Sequence, residues 1–256
     1  MILCIIKKKG TLKAEQNADL LKELLNDTSW QARFSKRGKA FFFFINEMTK
    51  YVHKTVVIKD HVPWQDLPGY NVLIRNFLIE LKKRDVRALP EALIDTSVTL
   101  LRYEKLLCTF VTIVYNKTKV YDSSTVFAVF DVINTWLKAL DSYQKLMPAI
   151  FDYNFFFKGI YMILDGDHAL NIAKVLWVLY NNINVLPGIY SLFWMPAGLI
   201  LLGDRKQQLC EYLLGERFFK LFLHWSYNVR QVFHHLLIFR IYHQHRNSSS
   251  TLNNSE

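Results

Sequence analysis

Between Ser123 and Leu140 the apolar residues Val126, Val129, Phe130, Ile133, Leu137 and Leu140 recur at spacings of three and four. A helix turns once per 3.6 residues, so this spacing gathers all six on one stripe that another element must cover. Val229, Val232, Phe233, Leu236, Leu237 and Ile241 repeat the pattern over residues 228–245, with Arg230, His234, Arg240 and His243 largely off the stripe. A pleated strand would need period two instead. Only Gly 9 and Pro 6 punctuate the 256 residues, too few for an all-β sandwich or barrel that turns about every 8–12 residues. The chain is predicted to be all-α.

Further helices are predicted over 14–26, 40–54, 70–83, 90–114, 144–161, 167–182, 205–214 and 217–225. The 40–54 segment opens on four phenylalanines, Phe41 to Phe44, a run that by itself fits strand or helix. Leu67-Pro68-Gly69 marks a turn ahead of residues 70–83. Pro90 suits the first turn of a long or broken helix, whose end, Phe110 to Tyr115, is β-branched enough to form a strand instead. Asp122 or Ser123 can cap the helix that follows, and Asp167 the one after residue 167, by accepting a free first-turn N–H.

Helices apolar over one broad face, some nearly all round, are covered by stacking on neighbours. No fixed repeat period is present. The expected architecture is an irregular armadillo/HEAT-like helical stack, with an irregular helical bundle as the alternative. One helical-repeat-like domain is expected over residues 1–246, followed by a disordered polar tail, 247–256.

A hydrophobic share of 51% with 21% charged residues excludes a disordered chain. Cys4, Cys108 and Cys210 lie too far apart for a disulfide framework or a CxxC metal site. The net charge of +10 is concentrated in short clusters, Lys7–Lys9, Arg33 with Lys36, Arg37 and Lys39, and Lys82–Arg84 with Arg87. Such clusters can meet the phosphates of nucleic acid or of anionic lipid; a solvated surface is the plainer reading. Met1–Ile6 is apolar with lysines after it, the reverse of a secretory signal, so an intracellular, cytoplasmic protein is expected.

From Val175 to Gly203 the chain carries no charged residue, and Val185–Leu202 has the length of a spanning helix. Pro187-Gly188 and Pro196 interrupt it. A buried, loop-broken element is the first reading and a membrane span near 185–202 the second.

No reactive centre can be read. His224, His234, His235, His243 and His245 lack the three- or four-residue spacing with a carboxylate that puts two metal ligands on one helix face. Asp165-Gly166-Asp167-His168 opens like an acidic metal loop but lacks its later oxygen ligands, and reads as a turn with a cap. GxSxG, GxxxxGK[ST] and GxGxxG patterns are missing. Cys108 and Cys210 sit in apolar helices, where packing is the usual role. Arg217-Phe-Phe-Lys220 and Phe239-Arg-Ile-Tyr-His243 mix rings with cations as single-strand binders do, but their rings fall mostly on apolar stripes, so core packing is expected and nucleic acid is not. Catalytic, cofactor-binding and metal residues are therefore none, and no cofactor is implied.

Phe130-Asp-Val-Ile-Asn-Thr-Trp-Leu, Phe155-Phe-Phe-Lys-Gly-Ile-Tyr, Asp167-His-Ala-Leu-Asn-Ile-Ala-Lys-Val-Leu-Trp, Glu216-Arg-Phe-Phe-Lys-Leu-Phe-Leu-His-Trp-Ser and Val229-Arg-Gln-Val-Phe-His-His-Leu-Leu-Ile-Phe-Arg-Ile-Tyr carry a resemblance. The region from Val129 to Arg246 resembles a family of fungal and amoebal proteins of unknown function, some of them labelled "membrane protein". The resemblance implies a helical region and membrane association, and transfers no catalytic residue. Under it, Leu186-Pro-Gly188 should run almost directly into Asp204, so Ile189–Gly203 reads as an insertion or a gene-model artefact.

The expected function is a non-enzymatic helical scaffold that binds protein partners, with contact to a membrane face. The alternatives are an integral membrane protein anchored near 185–202 and an enzyme of unrecognised mechanism.

Overall fold

The structure is a computed structural model, described here for residues 39–54, 69–187 and 205–242. The helix expected at 14–26, the clusters at Lys7–Lys9 and Arg33–Arg37, most of the 185–202 stretch, His243, His245 and the tail lie outside the described residues. Among the described residues every regular element is helical and there is no strand, so the fold is all-α. The chain divides into two compact units, residues 1–84 with 90–100, and residues 85–89 with 101–256.

The first unit contains α1 (Lys39–Val52), α2 (Tyr70–Lys83) and α3 (Glu91–Leu100). The four phenylalanines are helical: Phe41 and Phe42 are buried with Ile45, Thr49 and Val52, whereas Phe43 points outward. The Phe42 ring meets Phe77 edge-on at 6.2 Å, a favoured aromatic geometry. α2 follows Gly69, whose φ of 78° lies in the left-handed region, where glycine carries no Cβ penalty. Its inner face is Tyr70, Leu73, Ile74, Phe77 and Leu81. Among the described residues of this unit the buried hydroxyls all have acceptors. Tyr70 donates to Thr49 Oγ1 at 2.8 Å and Thr49 to the Ile45 carbonyl at 2.7 Å, while Thr96 of α3 lies 2.7 Å from the Ala92 carbonyl and 3.2 Å from that of Phe42 on α1. Buried polar groups need such partners.

The second unit holds a 3-10 turn (Val86–Ala88), α4 (Leu106–Tyr115), α5 (Ser123–Ser142), α6 (Tyr153–Asp165), α7 (Ala169–Asn182), α8 (Arg205–Leu214), α9 (Phe218–Phe222) and α10 (Tyr227–His235), which continues as a π-helical turn over Leu236–Tyr242. α7 packs along both α5 and α10, and α6 packs on it as well. The α5 stripe is buried as its spacing requires, with Val126, Val129, Phe130, Ile133 and Leu140 each at most 1% exposed. Trp136 is fully buried against Phe110 of α4, ring centroids 5.2 Å apart. Asn134 of α5 and Asn182 of α7 meet inside: the Asn182 amide donates to Asn134 Oδ1 at 2.8 Å and to the Val178 carbonyl at 2.8 Å.

The segment 90–114 is the broken form of the helix expected there, and its end, Phe110 to Tyr115, is helical rather than the alternative strand. Other local expectations need correction. The helix expected at 144–161 starts at Tyr153 instead. Gln144 takes a positive φ of 55° after α5, Pro148 offers no backbone donor, and Asp152 restarts the helix by accepting from the Phe155 N–H at 2.9 Å. Met147 and the Tyr153 hydroxyl brace the intervening turn, the former donating to the Val185 carbonyl at 3.0 Å and the latter to the Met147 carbonyl at 3.0 Å. His168, not Asp167, occupies the cap position of α7; its side chain lies 2.9 Å from Ser123 Oγ instead of bonding the helix.

Candidate docking surfaces

The polar residues singled out by sequence act within the fold. Asp122 caps α5, accepting from the Ser124 and Thr125 N–H groups at 3.1 and 3.4 Å and from both side-chain hydroxyls. Those hydrogen bonds, the Thr125 hydroxyl first, lower its pKa to about 2. The Asp165-Gly166 turn receives α8 and α9. Tyr212 donates to Asp165 Oδ1 at 2.7 Å, Arg217 Nε lies 2.6 Å from the same oxygen, and Lys220 donates to the Asp165 and Gly166 carbonyls at 2.7 and 3.1 Å. Tyr212 also stacks on Tyr161, centroids 3.8 Å apart; burial, then the Asp165 carboxylate, raises its pKa. The turn is a structural junction. Among the described residues no group of three or more His, Cys, Asp or Glu could hold a metal ion.

Below α5, α6 and α7 lies a small apolar cavity lined by Phe130, Phe156, Ile160, Val175, Leu179 and Asn182, among others. Its one polar lining residue, Asn182, donates its amide N–H groups to Asn134 and Val178, while its Oδ1 takes no hydrogen bond from the protein.

Two surfaces instead present large apolar side chains to the outside. The first is the outer face of α5 and α7. Leu170 and Trp177, two turns apart on α7, are 53% and 38% exposed. Two ammonium groups stand over the Trp177 ring, Lys174 Nζ at 5.0 Å and Lys138 Nζ at 5.6 Å, within the range of cation–π attraction. Lys174 also lies over Phe127 at 5.4 Å and pairs with Asp131 of α5.

The second surface runs from α9 to the end of α10. In α9 only Leu221 is buried; Phe219, Phe222 and Leu223, at offsets of three and four, share an outward face. Trp225 and Tyr227 continue it at 76% and 65% exposure, and Ile238 and Phe239 are half exposed further along. Phe218 stacks on Phe222 at 5.1 Å, and Phe222 meets the His234 ring at 4.5 Å, which ties α9 to α10. Tyr227, Gln231, His234 and Ile238 follow one another at spacings of four, three and four.

The loop carrying Trp225 is braced. Arg230 Nη1 donates to the His224 carbonyl at 2.5 Å and to the Trp225 carbonyl at 3.0 Å, and His224 Nδ1 accepts from the Ser226 N–H at 3.0 Å. His224 is itself buried; burial, and next Lys220, lower its pKa, favouring the neutral ring that this acceptor role needs. The expectation that the rings of residues 217–220 and 239–243 belong to the core is corrected here: Phe219 and Phe239 are exposed. Of the five residues of α9, Leu221 is buried and Phe218 half-buried against Phe233. The available signal was the absence of any Asp or Glu between Glu216 and Glu256.

These features define an all-α protein in which ionisable groups tie helices together and a subset of the aromatic groups, among them Trp177, Phe219 and Trp225, faces outward. The model of the family described as Protein of unknown function (DUF1765) matches residues 107–241, more than half of the chain, and the chain belongs to that family. No curated protein and no solved structure matches it. Among the described residues no helix is long and apolar enough to cross a membrane; all but the first three residues of the stretch near 185–202 lie outside them.

Proposed function

We propose that the chain is a non-enzymatic α-helical scaffold that binds protein partners across the outer face of α5 and α7. The observation that carries this reading is Trp177, partly exposed beneath the Lys138 and Lys174 ammonium groups. Tryptophan is among the residues enriched at interface hot spots, and Leu170 extends the apolar contact by two turns. The partner complementary to it carries an apolar side chain and a carboxylate for Lys138, because Lys174 is already paired with Asp131. The packing of α7 along both α5 and α10 supports an armadillo/HEAT-like stack, whose rows of helices present extended faces of this kind. In this reading the protein works in the cytoplasm, against a membrane face.

The test is capture of partners on the immobilised full-length chain, followed by reconstitution with the purified partner. Trp177→Ala and Lys138→Glu are expected to weaken binding roughly tenfold or more, as hot-spot truncations do, with thermal unfolding showing that both variants remain folded. Unchanged dissociation constants in both would overturn the reading.

A further inference from the structure

We propose that the ridge from Phe219 to Phe239 is the surface by which this chain lies on an anionic lipid bilayer, with Leu223 and Trp225 entering the headgroup–acyl boundary. Three observations converge. First, the protruding side chains have interfacial chemistry: Trp225 and Tyr227 pair an apolar ring with a polar tip, and Phe219 and Leu223, 73% and 68% exposed, are wholly apolar. They stand out from a short helix and a loop rather than lining a groove, and a bilayer, unlike a folded partner, needs no matching shape.

Second, the segment's own charge is cationic. From Arg217 to Ser255 there is no carboxylate; Arg217 is paired with Asp165, while Lys220, Arg230 and Arg240 flank the rings. Lys220 and Arg230 are held by carbonyl oxygens, and Arg240 lies over the Tyr180 ring at 5.0 Å. Their charge is oriented without being neutralised, which suits the negative potential of an anionic leaflet.

Third, the loop is prepared to leave water. An unpaired backbone group is costly in an apolar medium. Here the carbonyls of His224 and Trp225 accept from Arg230, the Ser226 N–H is taken by His224, and the Leu223 N–H donates to the Phe219 carbonyl at 3.1 Å. The tip thus exposes apolar side chains on a backbone braced by these four hydrogen bonds, which lowers the cost of an in-plane membrane contact.

The experiment is co-sedimentation of the full chain with phosphatidylcholine vesicles, with and without phosphatidylserine, at two ionic strengths. Binding is expected to need phosphatidylserine, to weaken with salt, and to fall about tenfold in Trp225→Ala and in Leu223→Ser. Both positions are exposed, and thermal unfolding verifies that the variants fold. No binding to anionic vesicles overturns the proposal. So does binding that both variants retain in full, which would place the contact on the basic clusters. Loss of a captured protein partner in Trp225→Ala, without loss of vesicle binding, assigns the ridge to a protein and likewise overturns it. The partner reading is tested separately, since Trp177→Ala is expected to leave vesicle binding unchanged.

Discussion

A Cβ placed on Gly159 of α6 would stand 2.6 Å from Cε2 of Tyr115 at the end of α4. The Tyr115 ring cannot step aside, because Phe130, Phe155 and Phe156 surround it with centroids 5.6–6.1 Å away. Alanine would ordinarily favour a helix over glycine by about 1 kcal/mol. Overpacking of a filled core costs typically 1–3 kcal/mol, so Gly159→Ala is expected to destabilise the chain, by about 1 kcal/mol net. Urea unfolding checks the sign; a rise in stability would show that Tyr115 yields.

Asn134 and Asn182 form a buried amide pair between α5 and α7. Asn134→Ala leaves the Asn182 amide one acceptor short, at a cost of about 1–3 kcal/mol for a stranded buried polar group. Asn134→Leu with Asn182→Leu removes both partners and is expected to cost less than the sum of the singles. A double-mutant cycle reads the coupling directly, and strict additivity would contradict it.

Acid should weaken the start of α5. The Asp122 carboxyl, lowered from 3.8 to about 2 in the folded chain, contributes stability that is fully present above about pH 4. That contribution is lost as the pH falls through about 2, because the unfolded chain takes up the proton first. Asp85 behaves likewise, also lowered to about 2, chiefly by its hydrogen bonds with the Arg87 side chain. Asp122→Asn keeps a capping oxygen but cannot titrate. Its thermal midpoint should therefore decline less between pH 4 and pH 2 than that of the parent chain, as followed by circular dichroism.

At the Asp165 junction, Tyr212→Phe deletes the hydroxyl that donates to the carboxylate and spares the stack on Tyr161. A loss of about 1 kcal/mol is expected for one such hydrogen bond. Hydrogen exchange should quicken first in α8, whose anchor this is, while the α5 and α7 amides keep their protection. Uniform quickening would mean that the junction supports the whole unit.

Periodicity reads what a helix covers when the helix is long. Val126 to Leu140 go where their spacing sends them, and residues 205–214 form the helix expected there. Boundaries set by side-chain chemistry are harder to read, because several acceptors compete for the first N–H groups. Asp122 wins at α5, whereas Asp167 yields the cap position to His168. Residues 144–161 combine good helical residues with Pro148, and it is Asp152 that decides where the helix begins. The exposed rings were illegible for another reason. Phe219 and Phe222 fit an apolar stripe equally well whether that stripe is covered or not, and only the placement of α9 decides which. The pairing of Lys138 and Lys174 over Trp177 joins two helices, so no single-helix pattern contains it.

α7 has α5 along one contact and α10 along another. A row of repeats can fray from its ends, one module at a time. In this row α7 is the rod its neighbours share, so melting it strips shelter from both flanking rods together, and α5, α7 and α10 should come apart in a single concerted step.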